Sequence, residues 1–86
     1  MILSQIPVTE LVNYCAKLTP EQAHSLRGQV FLQDSYFNPI QDIEDNWIIS
    51  AQEVAYCANP EFLWIKDLPM IPFVPKPALP LFGGEA

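Results

Sequence analysis

Five prolines in the run from Leu68 to Phe82 constrain this chain more than any other feature. Pro69, Pro72 and Pro75 recur every third residue, the repeat of a polyproline II helix, and Pro77 and Pro80 follow. Such a segment has no internal hydrogen bonds and leaves its backbone open to water or to a partner. Between the prolines stand Met70, Ile71, Phe73, Val74, Leu79, Leu81 and Phe82, with Lys76 as the one charge. Disordered Pro-rich linkers are polar, because they cannot bury enough apolar surface to offset ordering entropy. This run is apolar, and burial of each large side chain is worth about 1.5–3 kcal/mol. It therefore reads as an extended arm that docks on a surface. At about 3.1 Å per residue it reaches roughly 45 Å, farther than a domain this small is wide.

Size and charge narrow the rest. Eighty-six residues make one small domain, expected over residues 1–67 with the arm over 68–86. Charged residues are 16% of the chain against about 25% in ordinary soluble domains, which points to surface not meant for water. The net charge is −6. The excess lies between Asp34 and Asp67, where seven carboxylates face only Lys66. No cluster of Lys and Arg exists to neutralise phosphates, so a nucleic-acid partner is not expected. Cys15 and Cys57 match no zinc-ligand spacing and read as buried thiols, and no cofactor is expected. The chain shows neither a secretory signal nor an apolar run long enough to span a membrane, so a cytoplasmic protein without a membrane partner is expected.

Taken in order, Val8, Leu11, Val12, Cys15 and Leu18 follow a helical period and predict an amphipathic helix from near Pro7. Thr19, Pro20 and Gln22 start a second helix with a capping box, stopped at Gly28. Together they make an N-terminal helical hairpin. His24, on the second helix, has no nucleophile spaced to meet it and reads as a surface histidine. From Val30 the chain turns β-branched and aromatic, and Ile40–Asp42 pairs with Trp47–Ile49 in a hairpin whose turn places Asp45 or Asn46 at positive φ. Ser50 and Glu53 cap a short helix, and Asn59-Pro60 caps a last turn carrying Phe62, Trp64 and Ile65. The fold class is α+β: helical hairpin, central β-hairpin, short capped helix, extended Pro-rich arm.

Two stretches carry candidate sites. The partner-binding set is Phe62, Trp64, Ile71, Phe73, Val74, Leu79 and Phe82. An acidic surface is formed by Asp42, Glu44, Asp45 and Glu53. Asp42, Glu44, Asn46 and Glu53 also fall at positions 1, 3, 5 and 12 of a calcium loop, but Trp47 stands where that loop needs glycine.

The block Tyr36-Phe37-Asn38-Pro39-Ile40-Gln41-Asp42, Asn46-Trp47-Ile48-Ile49-Ser50, Glu53, and Asn59-Pro60-Glu61-Phe62-x-Trp64-x-Lys66-Asp67-Leu68-Pro69 resembles short proteins of tailed phages and prophages of gut bacteria. That group has no established activity, so the resemblance implies a phage setting, cytoplasmic or virion, and no mechanism.

No nucleophile–base pair, metal set or phosphate loop can be assembled from these residues, so an enzyme is not expected. The favoured function is a non-enzymatic interaction module, a phage structural or accessory protein, whose arm docks on a protein partner or a neighbouring copy. The alternatives are a small acidic inhibitor of a basic host protein site and an EF-hand-like calcium binder. Salt separates the first two, since electrostatic docking weakens with ionic strength and apolar docking barely responds.

Overall fold

Tyr14–Leu18 forms strand β1, the inner strand of a four-stranded antiparallel sheet, in a computed structural model that describes residues 1–76. Strand β5 (Trp47–Ser50) lies on one side of β1 and β6 (Met70–Pro72) on the other, with β4 (Ile40–Gln41) outside β5. The register pairs Cys15 with Ser50 and Ile71, and Lys17 with Ile48. Strands β2 (Val30–Leu32) and β3 (Ser35–Tyr36) form a separate two-stranded sheet.

The chain is α+β, with helices and antiparallel sheets, but its N-terminal part is not a helical hairpin. Val8–Asn13 makes a 3-10 segment, and the chain then extends into β1. The apolar period misled because it does not mark one face. Val8 and Val12 are exposed and Leu11 is buried, whereas Leu18 and Ala16 enter the core by the alternation of a strand. Only α1 (Pro20–Leu26) of the expected pair is a helix. Its capping box is formed as the sequence predicts: Gln22 N–H donates to Thr19 Oγ1 at 3.1 Å, and Thr19 N–H donates to Gln22 Oε1 at 2.8 Å. Gly28, at φ 79°, ends the segment in a conformation that a side chain would oppose.

The hairpin of β4 and β5 is also as expected, with Asp45 at φ 66° in its turn. Ser50 accepts from Glu53 N–H at 3.1 Å and caps α2 (Ala51–Ala55). Asn59 accepts from Glu61 N–H at 3.0 Å and starts the 3-10 segment Pro60–Asp67.

Both helices pack on one face of the sheet, where Ala16, Leu18 and Ile49 meet Ala23, Leu26, Val54 and Ile65. Phe37 joins them, with the Phe31 ring tilted against it at 5.1 Å and Phe62 set edge-on at 5.8 Å. Across the expected domain boundary at Asp67 and Leu68 this core is continuous, because Leu68 and Met70 belong to it. Lys17 N–H donates to the Pro69 carbonyl at 3.0 Å as the chain enters β6. The outward N–H of Met70 is taken by the Met1 carbonyl at 2.8 Å, and Pro72 has none to offer. That edge of the sheet is thereby closed to further strands. No helix among the described residues is long and apolar enough to cross a membrane.

Candidate functional site

The second face of the sheet carries the site. Side chains alternate along a strand, so with Ala16 and Ile49 in the main core, Cys15, Lys17, Ile48 and Ser50 point the other way. Cys15 and Ile48 are each only 1% exposed, yet neither belongs to the main core. Something else covers them, and it is the continuation of β6.

After Pro72 the chain runs as a strap from one sheet edge to the other. Phe73 N–H donates to the Asn13 carbonyl at 2.9 Å, Ile43 N–H donates to the Val74 carbonyl at 2.9 Å, and Pro75 bridges antiparallel to Asp42. Lys76 then forms an ion pair with Asp45, both well exposed, so the pair adds little. The sheet is closed on itself at this point, since Asp42 and Ile43 follow β4 and Val74 and Pro75 follow β6.

Asp42 is the anchor of that closure. Its Oδ1 accepts from the backbone N–H groups of Glu44 and Asn46, each at 2.9 Å, and its Oδ2 accepts from Asn46 Nδ2 at 3.1 Å. Its own N–H donates to the Asn46 carbonyl at 3.0 Å. Burial raises the Asp42 carboxyl pKa, but the three hydrogen bonds and the Lys17 charge outweigh it and hold the group below the ordinary aspartate value. The buried carboxylate is thus a scaffold for the turn. Cys15, on the same face, is pushed up to about 11 by burial and by the Asp42 charge, so its thiol is protonated and inert.

Below the strap a groove of about 280 Å³ opens between β4, the end of β5 and the start of β1. Its apolar wall is Val12, Tyr14, Ile40, Ile48 and Phe73. Its polar end is Asn38, Ser50, Gln52 and Glu53. Burial raises the Glu53 carboxyl above the ordinary glutamate value, partly offset by the backbone N–H groups of Ser50 and Asn38. A smaller set of apolar residues, Ile43, Ile71, Pro72 and Val74, lines a second groove on the far side of the strap, with Lys17, Asp42, Glu44 and Asn46.

The expected partner-binding residues do not all share one surface. Phe62 turns inward against Phe37, and Trp64 stays 39% exposed on the Pro60–Asp67 segment. Ile71 and Phe73 face the two grooves, and Val74, 47% exposed, sits beside Ile43, 50% exposed. Leu79 and Phe82 lie outside the described residues. The acidic residues are likewise divided. Asp42 is spent on its turn, Asp45 on Lys76, Glu44 is exposed, and Glu53 lies in the other groove. Asp42, Glu44, Asn46 and Glu53 therefore form no single donor set, and no group of three or more metal-ligating side chains is assembled among the described residues. His24 is exposed on α1, which packs on the opposite face from Cys15.

No sequence signal marks Val12, Tyr14, Asn38 and Ile40 as parts of one groove. Their shared surface arises from the coiling of the sheet and from the strap, which no local pattern encodes. Comparison with known protein families, curated proteins and solved structures returns no match.

Proposed function

We propose that this chain is a non-enzymatic protein–protein interaction module that docks through its Pro-rich apolar arm on a protein partner or a neighbouring copy of itself. The observation that carries this reading is the strap. It lays the arm along the sheet while leaving Val74 and Ile43 about half exposed as adjacent apolar side chains. The arm then continues beyond Lys76 with Leu79, Leu81 and Phe82. Adjacent half-exposed apolar side chains are the usual core of an interface, and the charged groups around them, Lys17 and Glu44, would form its polar rim. The accessory or structural role in a phage is drawn from the resemblance of residues 36–69.

A photo-crosslinking amino acid placed at Val74, and separately at Tyr36 on the two-stranded sheet, tests the reading in a bacterial host. The expected result is one discrete adduct from position 74, with a yield that barely changes with salt. Equal adducts from both positions, or none from position 74, contradict it.

A further inference from the structure

The groove below the strap holds a carboxylate that no cation of this chain neutralises. Glu53 is half-buried at its polar end and is the one charged side chain among its described lining residues. The Lys and Arg residues stand elsewhere. Lys17 lines the far groove, Arg27 lies over Trp47, Lys66 is on the Pro60–Asp67 segment and Lys76 pairs with Asp45. No Lys or Arg follows Lys76 in the sequence. Burial raises the Glu53 carboxyl, and two backbone N–H groups offset it only in part. A carboxylate kept where its charge costs stability is characteristic of a binding site.

The rest of the lining fits a cation on an apolar stem. Asn38, Gln52 and Glu53 bring side-chain carbonyl and carboxylate oxygens to one end, and Tyr14 and Phe73 bring aromatic side chains to the wall. A guanidinium carries five N–H donors in one plane, stacks on aromatic faces and pairs with a carboxylate through two parallel bonds. An ammonium is more strongly hydrated and cannot stack, so it would use less of this lining. At about 280 Å³ the groove lies just under the roughly 300–1,000 Å³ of sites for drug-sized ligands, a size that suits a single side chain. The net charge of −6 favours approach of a cationic surface.

We propose that the groove binds an arginine side chain of the partner protein, with the guanidinium on Glu53, Asn38 and Gln52 and the methylene stem along Ile40 and Phe73. The inference rests on the reading that this chain docks on a protein, and it names what that protein must present. Phe73 and Val74 are consecutive in the strap, so an interface centred on Val74 and Ile43 reaches the groove. Arg27, the one arginine of this chain, is held over Trp47, so the occupant comes from a different protein. Enclosed by apolar walls, the ion pair is screened little by salt.

Amide NMR of the full chain, titrated with N-acetylarginine amide, reads the groove directly. Expected are saturable shifts at Ile48, Ser50 and Glu53 in the millimolar range, several-fold weaker binding of the lysine derivative, and none of the neutral citrulline derivative. Glu53→Gln should weaken the arginine derivative about tenfold or more while raising the melting midpoint at pH 7. Glu21→Gln removes the same charge from α1 on the opposite face and should leave binding unchanged. Absence of saturable shifts, equal binding of the lysine or citrulline derivative, or binding untouched by Glu53→Gln overturns the proposal. In the crosslinking host, Glu53→Gln should cut the adduct from position 74 several-fold, and Glu21→Gln should not. An adduct that forms as before in Glu53→Gln, or one with the mass of two copies of this chain, overturns the arginine site and leaves the docking reading standing. Absence of any adduct from position 74 overturns the docking reading itself.

Discussion

The backbone N–H of Ile43 donates to the carbonyl of Val74 at 2.9 Å, and that bond joins two segments that follow opposite edges of one sheet. The consequence is a second buried region. Cys15 and Ile48, pointing away from both helices, are shielded where the strap closes the sheet.

Ile48 therefore behaves as a core residue on a face that the helices leave open. Ile48→Ala should lower the unfolding free energy by about 2–5 kcal/mol, read from urea denaturation. Ile43→Ala, at a half-exposed position whose backbone bond survives, should cost less than about 1 kcal/mol. Equal small losses at both positions contradict the covered face.

The two perturbed carboxyls should impose opposite pH slopes. Asp42 titrates below its unfolded value of about 3.9, so its contribution is complete above that pH and is lost as pH falls through the folded pKa. Asp42→Asn should be less stable than the natural chain at pH 7, with the gap narrowing toward pH 2. Glu53 titrates above its unfolded value of about 4.3, so its charging costs stability as pH rises from there through the folded pKa. Glu53→Gln should gain on the natural chain between pH 4 and pH 7. Denaturation midpoints across that range check both signs.

The Cys15 thiol, raised to about 11, should resist alkylation in the folded protein. At pH 8 its thiolate fraction is roughly a hundredfold or more below that of a free cysteine, before burial slows access further. Mass spectrometry after iodoacetamide should find Cys15 unmodified until denaturant is added. Rapid native labelling there contradicts the burial.

The parts legible in the sequence are those written in local chemistry. Thr19 with Gln22, Ser50 with Glu53, Asn59 before Pro60, and the turn before Trp47 each follow from neighbours within four residues. Strand β1 was not legible. It is an inner strand with Ala16 and Leu18 in the main core and Cys15 buried on the other face, so polar alternation is lost and a helical period fits by accident. Its partners β5 and β6 are supplied from distant parts of the chain. The same holds for the arm. Its three-residue proline repeat reads as polyproline II, while Met70 and Ile71 between two prolines keep the N–H groups that a short edge strand needs. The groove was invisible because its walls come from three strands and the strap.

The first part of the arm, Leu68–Lys76, is part of the fold, and two truncations measure that directly. A chain ending at Asp67 loses Leu68 and Met70 from the main core, the outer strand and the strap. Each buried side chain is worth about 1.5–3 kcal/mol, and a domain this small has a total stability near the low end of about 5–15 kcal/mol. Followed by circular dichroism on heating, the chain ending at Asp67 should show no cooperative transition, whereas the chain ending at Lys76 should unfold cooperatively. A chain ending at Asp67 that melts cooperatively, at the temperature of the longer one, would contradict a structural role for Leu68–Lys76.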